Sequence, residues 1–296
     1  MNAEVYRAIE SYCQGRLASL DYVNLADLET ELKIKNVSFQ TLVAIMSQTV
    51  QKYLKKTSYK GKDYKLIEQV GYEFFEMNKT LREIALSISY PPFLVGKMVL
   101  NYALSKEYLH IHQTAQKDHH NVKDVIKRYA CDPSLISHKR LREQIEYWHE
   151  HDPYTSPNID RLKHATGEEY EFILTKKLGA RNITFQAEEA LKLEGAEKTP
   201  DALITIPFAV RSRTSSGNSG NAVVFKHHVV NWIDSKAMFG DEKEHMKYMK
   251  QYISYRSRYG PGMVIYWFGY VETIADLDND ILVMSDFPLK SDIVFM

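Results

Sequence analysis

Val229-Val230-Asn231-Trp232-Ile233-Asp234-Ser235-Lys236 is an apolar run that closes on a carboxylate, a hydroxyl and an ammonium. Its β-branched and aromatic residues predict a strand. Side chains two apart on a strand share a face, so Asp234 and Lys236 point one way and Ser235 the other. Asp/Glu-x-Lys also occurs at Glu31–Lys33, Asp63–Lys65 and Asp241–Lys243, but only the Asp234 triplet ends a strand-like run. Asp241 follows Gly240 and reads as the start of a helix, where an acid complements the dipole.

Upstream, Lys198-Thr199-Pro200-Asp201 leads into a second strand, Asp201–Ile206. Neighbouring strands lie ~4.8 Å apart, so pairing these two would bring Asp201 and Asp234 to one ion. Mg²⁺ (or Mn²⁺) sits ~2.1 Å from each ligand oxygen and keeps several waters, one of them a candidate nucleophile. The backbone carbonyl of Ser235 is a plausible third ligand, and Lys236 could orient the water or offset charge on a phosphorane-like transition state. Glu171, with Leu174 and Leu178 one and two turns on, is the helix acid expected beside them, reaching a metal through water. Its alternative is an ordinary exposed acid. Glu169 competes for that place, and otherwise reads as the capping-box partner of Thr166.

The surrounding segments predict an αβββαβ order. A helix starts at Ser156-Pro157 and runs to Leu178-Gly179, with an interruption at Gly167 left open. Strands follow at Asn182–Phe185, Asp201–Ile206 and within Val223–Lys236. Helix Glu242–Arg258 places Met246, Met249 and Ile253 on one side, and Met263–Phe268 reads as a buried strand, with another at Ile281–Met284. This is a mixed sheet flanked by helices. Gln251 and Tyr252 would face the path of a DNA backbone, or else be surface or packing residues.

The first half reads as helices, at Val5–Leu17, Leu25–Leu32 and Phe39–Leu54. Thr80-Leu81-Arg82-Glu83 is a capping box, Ser89-Tyr90-Pro91-Pro92 breaks the helix it opens, and Phe93–Leu104 resumes the period. Helix, short turn, helix is the helix-turn-helix pattern. The second helix offers only Lys97 and Asn101 to bases or phosphates, which favours packing or shape-level contact over sequence readout. Lys52, Lys55, Lys56, Lys60, Lys62 and Lys65 are opposed within their stretch by Asp63 alone, and form either a solvated helix end or a phosphate-contacting patch. His110, His112, His119 and His120 lie in a polar, aperiodic segment that reads as linker.

The 296 residues allow two domains, and 44% hydrophobic with 26% charged residues is ordinary for a globular chain. Net charge is zero, so nucleic-acid binding has to come from local patches. Two distant cysteines, Cys13 and Cys131, imply neither a disulfide framework nor a zinc knuckle. With no secretory signal at Met1–Glu4 and no run long enough for a bilayer, the expectation is an intracellular protein of nucleus or cytoplasm, without membrane association.

Gly167–Glu171, Lys198–Asp201, Trp232–Glu242 and Tyr259–Trp267 together resemble the codanin-interacting nuclease family, the Thr-Pro-Asp branch of the PD-(D/E)xK superfamily. Tyr90-Pro91-Pro92 extends the resemblance into the helix-turn-helix half. It implies a restriction-endonuclease-like fold, divalent-metal-dependent DNA cleavage and codanin as a partner. It also places Asp201, Asp234 and Lys236 at catalytic positions and Glu171 at the helix acid. Two features depart from the family pattern. Asp234 stands where glutamate is usual, and Arg211–Asn221 lengthens the connection before the Asp-x-Lys strand as a flexible hairpin tip.

The expected architecture is multidomain. N-terminal all-α, helix-turn-helix-like domains at 1–58 and 59–112 and a connection at 113–151 precede a C-terminal α/β nuclease domain at 152–296. The expected function is hydrolysis of DNA phosphodiesters, with Lys52, Lys55, Lys56, Lys60, Lys97 and Gln251 as candidate nucleic-acid contacts. A non-catalytic adaptor on the nuclease fold and a transcriptional regulator are the alternatives. The clustered carboxylates weigh against the first, and the poor recognition helix against the second.

Overall fold

The computed structural model describes residues 1–18, 30–32, 34, 37–109, 121–214 and 224–295. Residues 25–29 of one expected helix, the four linker histidines and residues 215–221 of the expected hairpin tip lie outside them. The chain forms two compact units, one of Met1–Ala8, Ile34–Ile45 and Ala165–Met296, the other of Ile9–Lys33 and Met46–His164. The unit that holds the sheet thus draws on both ends of the chain. Among the described residues no helix is long and apolar enough to cross a membrane.

Helices α1 (Ala3–Ala18), α2 (Phe39–Thr57) and α8 (Pro157–Gly179) contribute residues to both units, and α3 (Tyr64–Phe75), α4 (Leu81–Ile88), α5 (Pro92–Ser105), α6 (Val122–Cys131) and α7 (Lys139–His151) build the helical one. Thr80 caps α4 as the sequence predicts. Its hydroxyl accepts from the Glu83 amide at 3.2 Å, and the Glu83 carboxylate accepts from the Thr80 amide at 2.7 Å. Ser89 ends α4 in the left-handed region at φ 47°, and Pro92 opens α5. Helix α5 is the hub of this unit, with Phe93, Val95, Met98, Val99, Leu100 and Ala103 all buried. A helix covered on most of its circumference packs its own unit, in keeping with its apolar composition. Replacing Thr80 with alanine should lower stability by about 1 kcal/mol, measured as a shift in urea midpoint at constant m.

The second unit is an α/β domain. Its strands are β1 (Phe185–Ala187), β2 (Ala202–Thr214), β3 (Val224–Lys236), β4 (Gly262–Tyr266), β5 (Ile281–Met284) and β6 (Ile293–Phe295), with α9 (Glu188–Leu193) after β1 and α10 (Glu242–Tyr259) between β3 and β4. They form one mixed sheet in the order β1-β2-β3-β4-β5, with β6 added on β2. The first three are antiparallel, while β3, β4 and β5 run parallel. Every residue of β4 is buried, which is why it reads as an unbroken apolar run. One face packs Ala202, Ile204 and Ile233 against Leu174 and Leu178 of α8. The other packs Trp232, Val264 and Tyr266 against Tyr252 and Tyr255 of α10.

Several elements differ from the sequence expectation. Helix α8 runs through Gly167, a tolerable loss of about 1 kcal/mol within twenty-three residues. Thr166 is therefore internal to a helix and cannot form a capping box with Glu169 at an N-terminus. Strand β1 starts later, because Asn182 adopts φ 56° in the turn that closes α8. Helix α9 and strand β6 were not expected. Strand β2 continues to Thr214, pairing Arg211 with His227 and Thr214 with Val224, so this part of the expected flexible tip is ladder. Helix α10 turns His245, Tyr252 and Tyr255 inward, whereas Met246 and Ile253 face solvent. The amphipathic stripe is carried by aromatic rings.

The Tyr259–Gly262 turn is pinned to β3. Asn231 Nδ2 donates to the Pro261 carbonyl at 2.8 Å and Trp232 Nε1 to the Gly260 carbonyl at 2.9 Å. Trp232 covers Gly262 so closely that a Cβ there would lie 2.1 Å from the indole Cε2. Gly262→Ala should cost about 3 kcal/mol by overpacking, read as a lowered urea midpoint.

Candidate functional site

The β2–β3 ladder ends on Ala202 opposite Ile233, so its next step sets Asp201 opposite Asp234. Directly opposed residues have Cβ atoms about 4.5–5.5 Å apart on one face. Asp201 completes the ladder with its side chain, since the Ser235 amide donates to Asp201 Oδ2 at 2.5 Å. Trp232 lies two residues before Asp234, which places Asp234 and Lys236 on the α10 face, while Asp201, just ahead of β2, also lines the cleft beside α8. Ser235 points to the other face, where its Oγ accepts from Trp267 Nε1 at 2.7 Å.

The entry to β2 is braced from α10. Tyr255 OH donates to the Thr199 carbonyl at 2.6 Å, and Gln251 donates in turn to the Tyr255 hydroxyl. Thr199 Oγ1 donates to Glu188 Oε1 at 3.1 Å. Gln251, a candidate nucleic-acid contact, is thus tied to the scaffold of the Thr199-Pro200-Asp201 turn. Tyr255→Phe should strand the buried Thr199 carbonyl and cost about 1–2 kcal/mol, observable as a lower urea midpoint.

Asp234 is 1% exposed, and its Oδ1 forms an ion pair with Lys236 Nζ. Among the described residues that oxygen has no partner besides the ammonium, so a buried carboxylate oxygen depends on Lys236 alone. Lys236 Nζ also lies 4.9 Å from the centre of the Tyr248 ring. Burial pulls the Lys236 ammonium down, but Asp234 and Asp201 outweigh it and hold the group charged, above its usual range. Burial, then the Asp234 charge, push Asp201 up to about 8. Asp234 is raised as well, by burial first, against the pull of Lys236. Two acids that close share one ammonium, so near neutral pH one proton stays on the pair.

This has a consequence for stability. The folded-state value of Asp201 lies above its ordinary 3.8, so the folded form holds the proton more tightly. The resulting stability is full below about pH 4 and is lost as pH rises through about 8. Melting temperatures should therefore fall between pH 5 and pH 9 in EDTA, and Asp201→Asn should flatten that fall.

Beside the pair is a cleft of about 210 Å³ bounded by Glu168 and Glu171 of α8, Phe185, Glu188 and Glu189 of α9, and Asp201. Burial, then Glu188 and Glu189, raise Glu171 above the usual carboxylate range. Glu171 lines the cleft, while Glu169 is exposed outside that lining. Glu188 was missed in the sequence reading. Its signal is the Glu188-Glu189 pair following a short strand, but α9 has only six residues and no side-chain cap to announce it.

The structure brings together Glu171, Asp201, Asp234, Ser235 and Lys236. The candidate lysine contacts belong to the helical unit. Lys52 pairs with Glu10 at 2.6 Å, and Lys60 donates to the carbonyls of Ile88 at 2.6 Å and Ser89 at 3.3 Å. Lys55 and Lys56 are exposed. Lys97 Nζ sits 4.9 Å above the Phe93 ring, with its pKa lowered by burial.

Among the described residues no three His, Cys, Asp or Glu side chains are grouped to hold a metal ion. The available set is Asp201 and Asp234, which suits a hard cation that takes one or two carboxylates and keeps its waters. The buried Asp234 Oδ1, with no partner beyond the Lys236 ammonium, and the proton retained by the two acids both mark a place where a divalent charge would be favourable.

A family model described as "Protein of unknown function TPD sequence-motif" matches residues 137–287. Among similar proteins, CDAN1-interacting nuclease 1 of Xenopus laevis is 33% identical over 261 residues, covering 85% of this chain and 78% of the relative. The Bos taurus protein of that name is 33% identical over 256 residues, covering 84% and 83%, respectively. The Homo sapiens protein is 31% identical over 256 residues, with the same 84% and 83% coverage. No solved structure matches.

Proposed function

The chain belongs to the family of CDAN1-interacting nucleases, and from that premise we propose that it is a divalent-metal-dependent deoxyribonuclease acting through Asp201, Asp234 and Lys236, with Glu171 at the rim. The observation that carries this reading is the opposed Asp201–Asp234 pair with its single buried ammonium. Asp201, Asp234 and the Ser235 carbonyl would hold Mg²⁺ or Mn²⁺, and Glu171 would reach it through water. The ion would neutralise phosphate charge and make a water more acidic.

The chain's own groups would do the rest. Lys236, held charged by Asp234, offsets negative charge developing on the phosphate and cannot drift, because Asp234 and Tyr248 fix it. Asp201 is half ionised at about pH 8, so metal affinity and cleavage should rise toward alkaline pH. Tyr255 and Gln251 hold the turn that presents Asp201. The antiparallel-to-parallel sheet with α8 and α10 on opposite faces supports a restriction-endonuclease-like fold. The relatives' name supports codanin as a partner, and the helix-turn-helix-like elements would help select DNA structure.

The test is cleavage of branched and single-stranded DNA with Mg²⁺ or Mn²⁺ by wild type and Asp201→Ala. Loss of cleavage in the variant is expected. Equal rates in the two proteins would overturn the assigned site, and no cleavage or metal binding by wild type would favour a non-catalytic adaptor.

A further inference from the structure

The stretch from Lys55 to Lys65 combines charge and aromatic exposure in a way that the candidate site does not use. Tyr64 is 81% exposed and Tyr59 62%, the two most exposed tyrosines among the described residues. Around them Lys55, Lys56, Lys62 and Lys65 are all exposed. None of these four forms an ion pair among the described residues. The acid among them, Asp63, is engaged as the cap of α3, accepting from the Lys65 amide at 3.0 Å and the Leu66 amide at 3.3 Å.

The segment is also anchored. Lys60 Nζ donates to the Ile88 carbonyl at 2.6 Å, and Tyr53 OH donates to the Ser89 carbonyl at 2.5 Å. The Lys60–Lys62 turn is thereby fixed to the α4–α5 turn, with Gly61 against the Tyr90 hydroxyl. Its rings and ammonium groups are presented from ordered backbone, so little conformational entropy is lost when they engage a ligand.

We propose that Lys55, Lys56, Tyr59, Lys62, Tyr64 and Lys65 form a platform for single-stranded nucleic acid. The lysines track phosphates and the two tyrosines stack on unpaired bases. A duplex keeps its base faces within its own stack and leaves exposed tyrosines no partner. An acidic protein would use the lysines and have no need of the rings. The inference rests on the reading of the chain as a protein that handles DNA, and it specifies that the helical unit engages the unpaired part of a branched or frayed substrate.

Equilibrium binding in EDTA tests the platform separately from cleavage. The probes are fluorescent oligothymidylate, oligouridylate and a duplex of the same length, with full-length protein carrying Asp234→Asn so that no substrate is consumed. Tyr64→Ala should weaken oligothymidylate binding about tenfold, and Tyr64→Phe should restore it. Lys62→Gln with Lys65→Gln should reduce the slope of log affinity against log salt by about 1.4. Equal losses on oligouridylate would extend the platform to RNA single strands. The proposal is overturned if duplex binds as well as single strand, or if Tyr59→Ala and Tyr64→Ala leave single-strand affinity unchanged. It is also overturned if a polyglutamate peptide binds as tightly and responds only to the lysine substitutions, the mark of an acidic protein partner. Tyrosine-dependent binding without any wild-type cleavage would sustain the platform while removing the nuclease reading.

Discussion

Lys236→Met should destabilise the folded chain by about 3 kcal/mol at pH 8, whereas Asp234→Asn combined with Lys236→Met should be nearly neutral. The asymmetry follows from burial. Asp234 is 1% exposed and its Oδ1 has no partner among the described residues besides the Lys236 ammonium. Removing the lysine leaves a carboxylate in a closed, tyrosine-lined space beside a second carboxylate. The folded state can relieve this by protonating Asp234, which is already raised by burial. That escape is cheap at low pH and costly at high pH, so the destabilisation should grow from pH 5 to pH 8. Urea unfolding of the two single variants and the double variant at both pH values closes the cycle. A single variant as stable as wild type at pH 8 would show that the pair is not buried as described.

Asp234→Asn should reduce DNA cleavage by on the order of 10²–10³ while leaving the protein folded. The amide is nearly isosteric, so the packing against Tyr252 and Tyr266 is kept. What is lost is the charge that fixes Lys236 and opposes Asp201. Without Asp234 the largest charge raising Asp201 disappears, and its titration should move back down from about 8. Activity should fall while the pH dependence of stability flattens. A purely structural role for Asp234 would change stability without that loss of cleavage. Single-turnover cleavage and thermal unfolding on one preparation separate the two.

The strand ending in Asp234-Ser235-Lys236 was legible because its alternation is unambiguous. Trp232 and Asp234 go to one face and Ile233 and Ser235 to the other, and the Ala202–Ile233 pairing that sets Asp201 opposite Asp234 follows from register. The capping box at Thr80 was equally readable, since it depends on residues three apart. Glu188 was not, because its place in the cleft depends on β1 pairing with β2 and on a six-residue helix too short for periodicity to reveal. The brace from Tyr255 to Thr199 was hidden for another reason. It joins residues 56 apart in sequence through a hydroxyl and a backbone carbonyl, and no local pattern encodes that contact. On helix α10 the Met246–Met249–Ile253 side was legible from spacing, but not that only Met249 of the three packs against the core and that full burial falls on His245, Tyr252 and Tyr255.

The two-carboxylate site makes its sharpest demand on metal binding itself. Titration of EDTA-treated protein with Mn²⁺, followed calorimetrically at pH 8, should show binding in wild type that is lost in both Asp201→Asn and Asp234→Asn, with proton release on binding by the wild type. Mn²⁺ binding of the same affinity in wild type and both variants would contradict the assignment of this pair as the metal site.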